Sequence, residues 1–226
     1  AALDDLAART KDLYGGCHIL CNNAGVVADS DLAGIFEGAA GLPIWEQPLT
    51  DWHWTFNVNF WGVVHGIRAF VPMMLAQDEE AHVVNTASIA GLVAGSGLPI
   101  YGASKHAVVR LSEGLYGQLQ AADAKIGVSV LCPGGVKTRI ALAERNRPDE
   151  FSDEGGPSPD ELEARETRWA EGTGATGMEP SQVADLVLQA IQDQQFWILP
   201  HDEYDDSIRT RTDDILTRHN PTPRPF

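Results

Sequence analysis

Tyr101 and Lys105 stand four positions apart, a spacing that brings a phenol and an ammonium to one helix face about one turn from each other. A free phenol ionises near pH ~10, and exchanging its proton near neutrality needs roughly two to three units of anion stabilisation, about 3 to 4 kcal/mol. An adjacent ammonium supplies much of that. Taken alone, the pair describes a surface tyrosine beside a solvated lysine equally well. Ser88 changes the balance, because it lies thirteen positions before Tyr101 at the end of His82-Val83-Val84-Asn85-Thr86, an apolar run that reads as a buried strand. In a parallel sheet ligands bind at the carboxyl ends of strands, where a serine can hold a substrate oxygen while a tyrosine exchanges its proton. The three residues suit carbonyl reduction or alcohol oxidation.

Strands and helices must alternate to place them. Leu3, Leu6, Ala7 and Leu13 form one helix face that Gly15-Gly16 terminates, and an apolar run from Cys17 to Cys21 follows as a strand. A glycine-rich loop to Pro48 leads to a long helix from Thr50 to about Leu75, with Pro72 at its last turn or a kink. After the strand at 82 to 86, a helix spans about Tyr101 to Ala122, and a third strand Ile126 to Leu131. Residues 137 to 178 are acidic and rich in glycine and proline, which reads as a substrate lid. Pro180 opens a helix to about Gln192, and Phe196 to Leu199 form a fourth strand ahead of a tail, 201 to 226, expected as a surface appendage. This order predicts an α/β fold with a doubly wound parallel sheet of about four strands, covered by helices on both faces.

The chain has 226 residues, 43% hydrophobic and 21% charged, enough apolar material for the core of one domain. Its net charge of −16 repels phosphate backbones and anionic lipid, so no nucleic acid or membrane partner is expected. Arg68 and Pro72 interrupt the longest apolar stretches, and no bilayer-spanning segment is expected. Cys17, Cys21 and Cys132 form no disulfide framework, which fits a reducing cytoplasm. In a strand, Cys17 and Cys21 share a face, but no second ligand pair follows, and His18, His53, His65, His82 and His106 have no paired ligand spacing, so no metal site is expected. Trp52, Trp54 and Trp61 on the long helix read as packing residues.

Four segments in order resemble the short-chain dehydrogenase/reductase family of compact, single-domain type. They are Asn22-Asn23-Ala24-Gly25, Asn57-Val58-Asn59-Phe60-Trp61-Gly62, Ser88 with Tyr101 and Lys105, and Cys132-Pro133-Gly134-Gly135-Val136-Lys137-Thr138. The resemblance implies a Rossmann-type fold using NAD or NADP, a small secondary alcohol or ketone as substrate, and a homo-oligomer paired through the helices at 50 to 75 and 101 to 122. It implies that Tyr101 is the general acid-base, that Ser88 orients the carbonyl, that Lys105 binds the nicotinamide ribose and lowers the tyrosine pKa, and that Asn59 positions a water in a proton relay. Asn23, Ala24 and Gly25 would line the cofactor groove together with Tyr101 and Lys105, and Pro133, Gly134, Val136 and Thr138 would lie near the nicotinamide.

The family's opening strand, its T-G-x-x-x-G-x-G turn and the helix that receives the pyrophosphate have no match in the sequence. Gly172-Thr173-Gly174-Ala175-Thr176-Gly177 satisfies G-x-G-x-x-G but follows the charged helical stretch Glu161 to Glu171 rather than a strand, so it reads as a lid hinge. The chain is therefore expected to be a partial domain lacking the first βαβαβ half, inactive by itself. The alternatives are a non-catalytic interaction protein that keeps the fold and, less well matched, a sugar-nucleotide epimerase, which needs a larger region after Leu199.

Overall fold

Residues 2–36, 42–95, 97–151, 158–172 and 176–222 are described by the computed structural model. Four parallel strands, β1 (Ile19–Asn22), β2 (Ala81–Thr86), β3 (Ile126–Leu131) and β4 (Trp197–Ile198), lie side by side in sequence order. Their register sets Asn22 beside Asn85, Thr86 beside Leu131 and Leu131 beside Ile198, so the carboxyl ends of all four meet along one edge. β2 and β3 are buried on both faces, as a sheet covered on both sides requires. Val83 and Val128 pack toward α1 (Ala2–Tyr14), α4 (Gly62–Gln77) and α5 (Pro99–Ala121), while Val84 and Leu131 pack toward α7 (Pro180–Gln192). The fold is the expected Rossmann-type α/β arrangement.

β1 is an edge strand that buries only Leu20 well, leaving Ile19 half exposed and Cys21 in solvent. Cys17 lies before the strand and is buried, so the two thiols do not share the face that an earlier strand start implied.

Three further departures bear on the site. The loop expected before Pro48 contains a helix, α2 (Asp29–Phe36), although residues 37–41 lie outside the described residues. The long helix is α3 (Leu49–Phe56), a π-helical turn (Asn57–Trp61) and then α4, a continuous 29-residue run passing through Arg68 and Pro72. Interruption therefore does not keep it short of membrane-crossing length and apolarity, but Val63, Phe70, Val71 and Met74 are buried in the core clusters. The acidic segment folds as 3-10 turns at Ile140–Asn146 and Asp149–Phe151 and as α6 (Pro159–Glu171), which a Ser158–Glu161 capping box opens. Within it, residues 152–157 and 173–175 lie outside the described residues, as do 223–226 of the tail. The rest of the tail forms a 3-10 turn, Asp202–Tyr204, and α8 (Asp205–Thr217).

Candidate active site

Ser88, Tyr101 and Lys105 converge where the sequence places them, at the carboxyl ends of β2 and β3. Ser88 leaves β2 with extended backbone and caps the 3-10 turn Ile89–Gly91, its Oγ accepting from Ala90 N at 3.2 Å and donating to Pro133 O at 3.3 Å. The Ser88 hydroxyl also favours the ionised form of the Tyr101 phenol. One turn further along α5, Lys105 lies beneath the ring, with Nζ 5.5 Å from its centroid and donating to Thr86 O at 2.9 Å. The lysine is 2% exposed, and burial pushes its ammonium pKa down to about 8. Burial also pushes the Tyr101 phenol up to about 12, against the weaker opposing effect of Ser88. The phenol thus stands opposite in direction to the lowering that the resemblance implies, because desolvation outweighs the Ser88 hydroxyl.

Cys132 follows β3 directly and is buried against the same groups, which pushes its thiol up to about 12 despite the nearby Lys105 charge. A neutral, enclosed thiol at this pKa is a packing group rather than a nucleophile.

Asn59 sits fully buried on the π-helical turn. Its Oδ1 accepts from Val26 N at 2.8 Å, and its Nδ2 donates to Val26 O at 2.9 Å and to Ser104 Oγ at 3.0 Å. Both amide hydrogens are taken by protein, so the side chain staples the loop after β1 to α5, and a water in a relay would have to meet its other atoms. Asn22 belongs to the same kind of fastening. It donates to Asn85 Oδ1 at 2.8 Å, and Asn85 donates to Ser112 Oγ at 3.0 Å, joining β1, β2 and α5.

The residues expected to meet a dinucleotide form an open rim. Asn23 and Ala24 are exposed, and Asn23 Oδ1 accepts from Thr86 Oγ1 at 2.9 Å. Gly25 comes so close to the lysine that a Cβ there would lie 3.3 Å from Lys105 Nζ, which favours the absence of a side chain at this position. Pro133, Gly134 and Val136 are partly buried, Thr138 is exposed, and Val136 bridges to Met178.

His201, placed by sequence in a surface tail, is buried against this rim. Its Nδ1 accepts from Gly134 N at 3.0 Å and its Nε2 lies 3.0 Å from Gly135 O, so the bridge selects the neutral tautomer protonated on Nε2. A Cβ at residue 134 would meet the Tyr204 ring at 2.7 Å, which is why glycine is needed there.

The acidic segment covers the site through contacts that sequence reasoning missed. Arg147 donates to Asp51 at 2.5 Å and to Glu144 at 3.0 Å, lies over the Trp54 ring, and all three ionic side chains are at most 9% exposed. Glu144 Oε1 also accepts from Asp29 N, and Arg165 of α6 pairs with the Asp29 carboxylate. Burial with Asp29 nearby pushes the Glu144 carboxyl up to about 7, with Arg147 opposing. Trp169 of α6 donates to Thr138 O at 2.8 Å and packs with Leu98, Ile140 and Tyr101 around Val27, Leu32 and Ala141. Pairing over such sequence distances leaves no local pattern.

Residues 1–149 match the short chain dehydrogenase family. The chain belongs to that family. The short-chain dehydrogenase is 34% identical over 220 residues to the CLA biosynthesis dehydrogenase/reductase of Lactiplantibacillus plantarum, covering 96% of this chain and 72% of the relative. It is 32% identical over 218 residues to the 1-deoxy-11-beta-hydroxypentalenate dehydrogenase of Streptomyces avermitilis, covering 95% and 67%. Among solved structures, a short chain dehydrogenase/reductase from Burkholderia phymatum in complex with NAD superposes with a TM-score of 0.85 at 40% identity, covering 99% of this chain and 75% of the other. A quarter to a third of each of these proteins has no counterpart in the 226 residues.

Proposed function

We propose that this short-chain dehydrogenase serves NAD(P)-dependent interconversion of a secondary alcohol and a ketone, with Tyr101 as the acid-base group. The placement of Ser88 and Lys105 beside Tyr101 carries the proposal, because it brings a hydroxyl able to orient a carbonyl and a cation 5.5 Å from the ring centroid to one phenol. The rim fits a nicotinamide dinucleotide at its reactive end. A ribose hydroxyl would meet Lys105 Nζ beside Gly25, with Asn23 and Ala24 on the β1 side and the segment from Pro133 to Thr138 after β3. When bound, the nicotinamide accepts a hydride from the carbinol carbon, or returns one to the carbonyl carbon. In oxidation Ser88 holds the substrate oxygen and Tyr101 Oη takes the hydroxyl proton; in reduction the phenol returns it. Lys105 stabilises the phenolate while that proton is away. Entry of ligand groups beside Tyr101 must replace some of the apolar packing that now holds the phenol's pKa up.

Leu98, Ile140 and Trp169, which pack with Tyr101 on one apolar cluster, favour a substrate with apolar groups beside its carbinol carbon, and residues 137 to 178 would serve as its lid. A glycine turn between a strand and a helix, which would take the pyrophosphate, is not among the described residues, so we expect the 226-residue chain alone to bind dinucleotide in about the millimolar range. Calorimetric titration with NAD(H) and NADP(H) tests this, and a micromolar dissociation constant would oppose it. A homo-oligomer through the helices at 50 to 75 and 101 to 122 is the proposed assembly, supported by half-exposed Trp61, Leu75 and Tyr116 and by the small side chains of Gly102, Ala103, Ala107 and Gly114. Light scattering at micromolar concentration reads it directly.

Tyr101→Phe is the decisive substitution. In protein that turns over alcohols, it should lower kcat by at least ~10²-fold and change dinucleotide affinity only a few-fold, since the transferable proton alone is lost. Retention of more than about a tenth of kcat would remove Tyr101 from this role. The same assay separates the enzyme from an interaction protein that keeps the fold, for which no alcohol panel supports turnover.

A further inference from the structure

We propose that Asp31 is the positioning residue for Tyr101, its carboxylate holding the helix turn that carries the phenol; this rests on the acid-base role of Tyr101 given above. The start of α5 has no side-chain cap of its own. Leu98 adopts left-handed backbone, φ 55° and ψ 49°, and its side chain cannot accept a hydrogen bond. Pro99 has no N–H, so the N–H groups of Ile100 and Tyr101 are the orphan donors of the first turn. Asp31 takes both. Oδ2 accepts from Tyr101 N at 2.7 Å and Oδ1 accepts from Ile100 N at 3.3 Å, across seventy and sixty-nine residues of sequence.

A carboxylate 3% exposed normally has a cationic partner. Among the described residues no lysine, arginine or histidine pairs with Asp31, and its third contact is Gln47 Nε2 at 3.2 Å, another neutral donor. All three neighbours donate, so the ionised form is the one they satisfy, and the positive end of α5 supplies the remaining compensation. This is a specific arrangement for a buried charge, and its consequence falls on one turn of helix.

The fastening also has a direction. Next to Asp31, Ser30 donates to Asp51 of α3 at 2.5 Å, and Leu32 packs in the cluster that includes Tyr101. The α5 turn is thereby tied through α2 to α3. Ser88 and Lys105 are held separately, by Pro133 O with Ala90 N and by Thr86 O. Releasing Asp31 therefore moves the phenol relative to its two partners rather than moving all three together. An ordinary cap at residue 98 would stabilise α5 equally but would not fix that relation.

The test uses the 226-residue chain with 13Cζ-labelled tyrosine, so that the four tyrosines, Tyr14, Tyr101, Tyr116 and Tyr204, each give one signal and Tyr101→Phe identifies the one that matters. In Asp31→Asn an amide group replaces one accepting oxygen and opposes an N–H of the turn. The Tyr101 signal should shift or broaden well beyond the other three, and amide exchange at Ile100 and Tyr101 should quicken at least tenfold relative to Val108 and Val109. A cap that served stability alone would lower the melting temperature and leave the Tyr101 signal in place, and that result overturns the proposal. If Asp31→Asn does not fold, Gln47→Ala keeps both amide bonds and removes only the lateral donor. A smaller displacement of the same signal is then expected, and an unmoved signal overturns the proposal. Failure of the acid-base role would appear separately, as turnover surviving Tyr101→Phe.

Discussion

The floor and the roof of the site are held by different forces. On the floor, Asn59, Ser88, Asp31 and Lys105 are fixed by neutral or singly charged hydrogen bonds to backbone of α5, the β1 and β3 loops, and β2, nearly all out of solvent. The roof is fastened by charge, with Asp29, Asp51 and Glu144 facing Arg147 and Arg165. Backbone hydrogen bonds define a geometry over a wide range of pH and salt, whereas an ionic cluster with three carboxylates and two guanidiniums responds to both. The proposed acid-base group is thus held mainly by hydrogen bonds to backbone, and the proposed lid by ion pairs.

The largest effect expected from breaking the floor is at Lys105. Lys105→Met should cut turnover by ~10²-fold or more and weaken dinucleotide binding, yet raise the melting temperature, because a buried ammonium satisfied mainly by Thr86 O is costly to keep. A variant that is both inactive and less stable would mean that Lys105 is a structural residue. Breaking the roof comes next. Arg147→Ala leaves Asp51 and Glu144 buried without their cation and removes the contact over Trp54, for an expected loss of about 3 kcal/mol in chemical denaturation.

Titration sharpens the contrast. Glu144 has a folded pKa of about 7 against an ordinary 4.5, so the native state holds its proton more tightly between those values. Its contribution to stability is present at low pH and is lost as pH rises through about 7. Glu144→Gln should flatten that stretch of the stability profile. The smallest effect belongs to His82, 2% exposed between β2 and β3, with Nε2 on Ser129 Oγ and Nδ1 unpartnered. Burial lowers its pKa below the ordinary 6.5, so the unfolded chain takes up the proton first and stability falls as pH drops through 6.5. His82→Gln should remove this modest acid-side slope, leaving the Glu144 slope untouched.

Which parts were legible in the sequence follows the same division. β3 and α7 begin and end where the alternation and Pro180 put them, and Tyr101, Lys105 and Ser88 are placed by helix pitch and strand ends. α2 was hidden because the glycines and prolines of residues 34 to 48 obscure the short Asp29-Ser30-Asp31 start. Asp31, Arg147 and His201 escaped notice for another reason: each acts on a partner more than sixty residues away, where neither periodicity nor spacing reports. Pitch and alternation reveal which side chains share a face; they carry no record of which loop closes over it.

The π-helical turn at Asn57–Trp61 has a consequence for how the protein tolerates length change. A π turn holds one residue more than an α turn. Removing a single residue from most core helices rotates everything beyond it by roughly 100° and unseats the apolar face. Here the loss of Val58 or Phe60 converts the turn to regular α-helix, so Val63, Phe70 and Met74 keep their seats on the sheet while Asn59 swings off Val26 and Ser104. A one-codon deletion at this spot is expected to keep the helix seated on the sheet while releasing the Asn59 contacts, which makes it a point where descent or engineering can part the fold from the proposed chemistry.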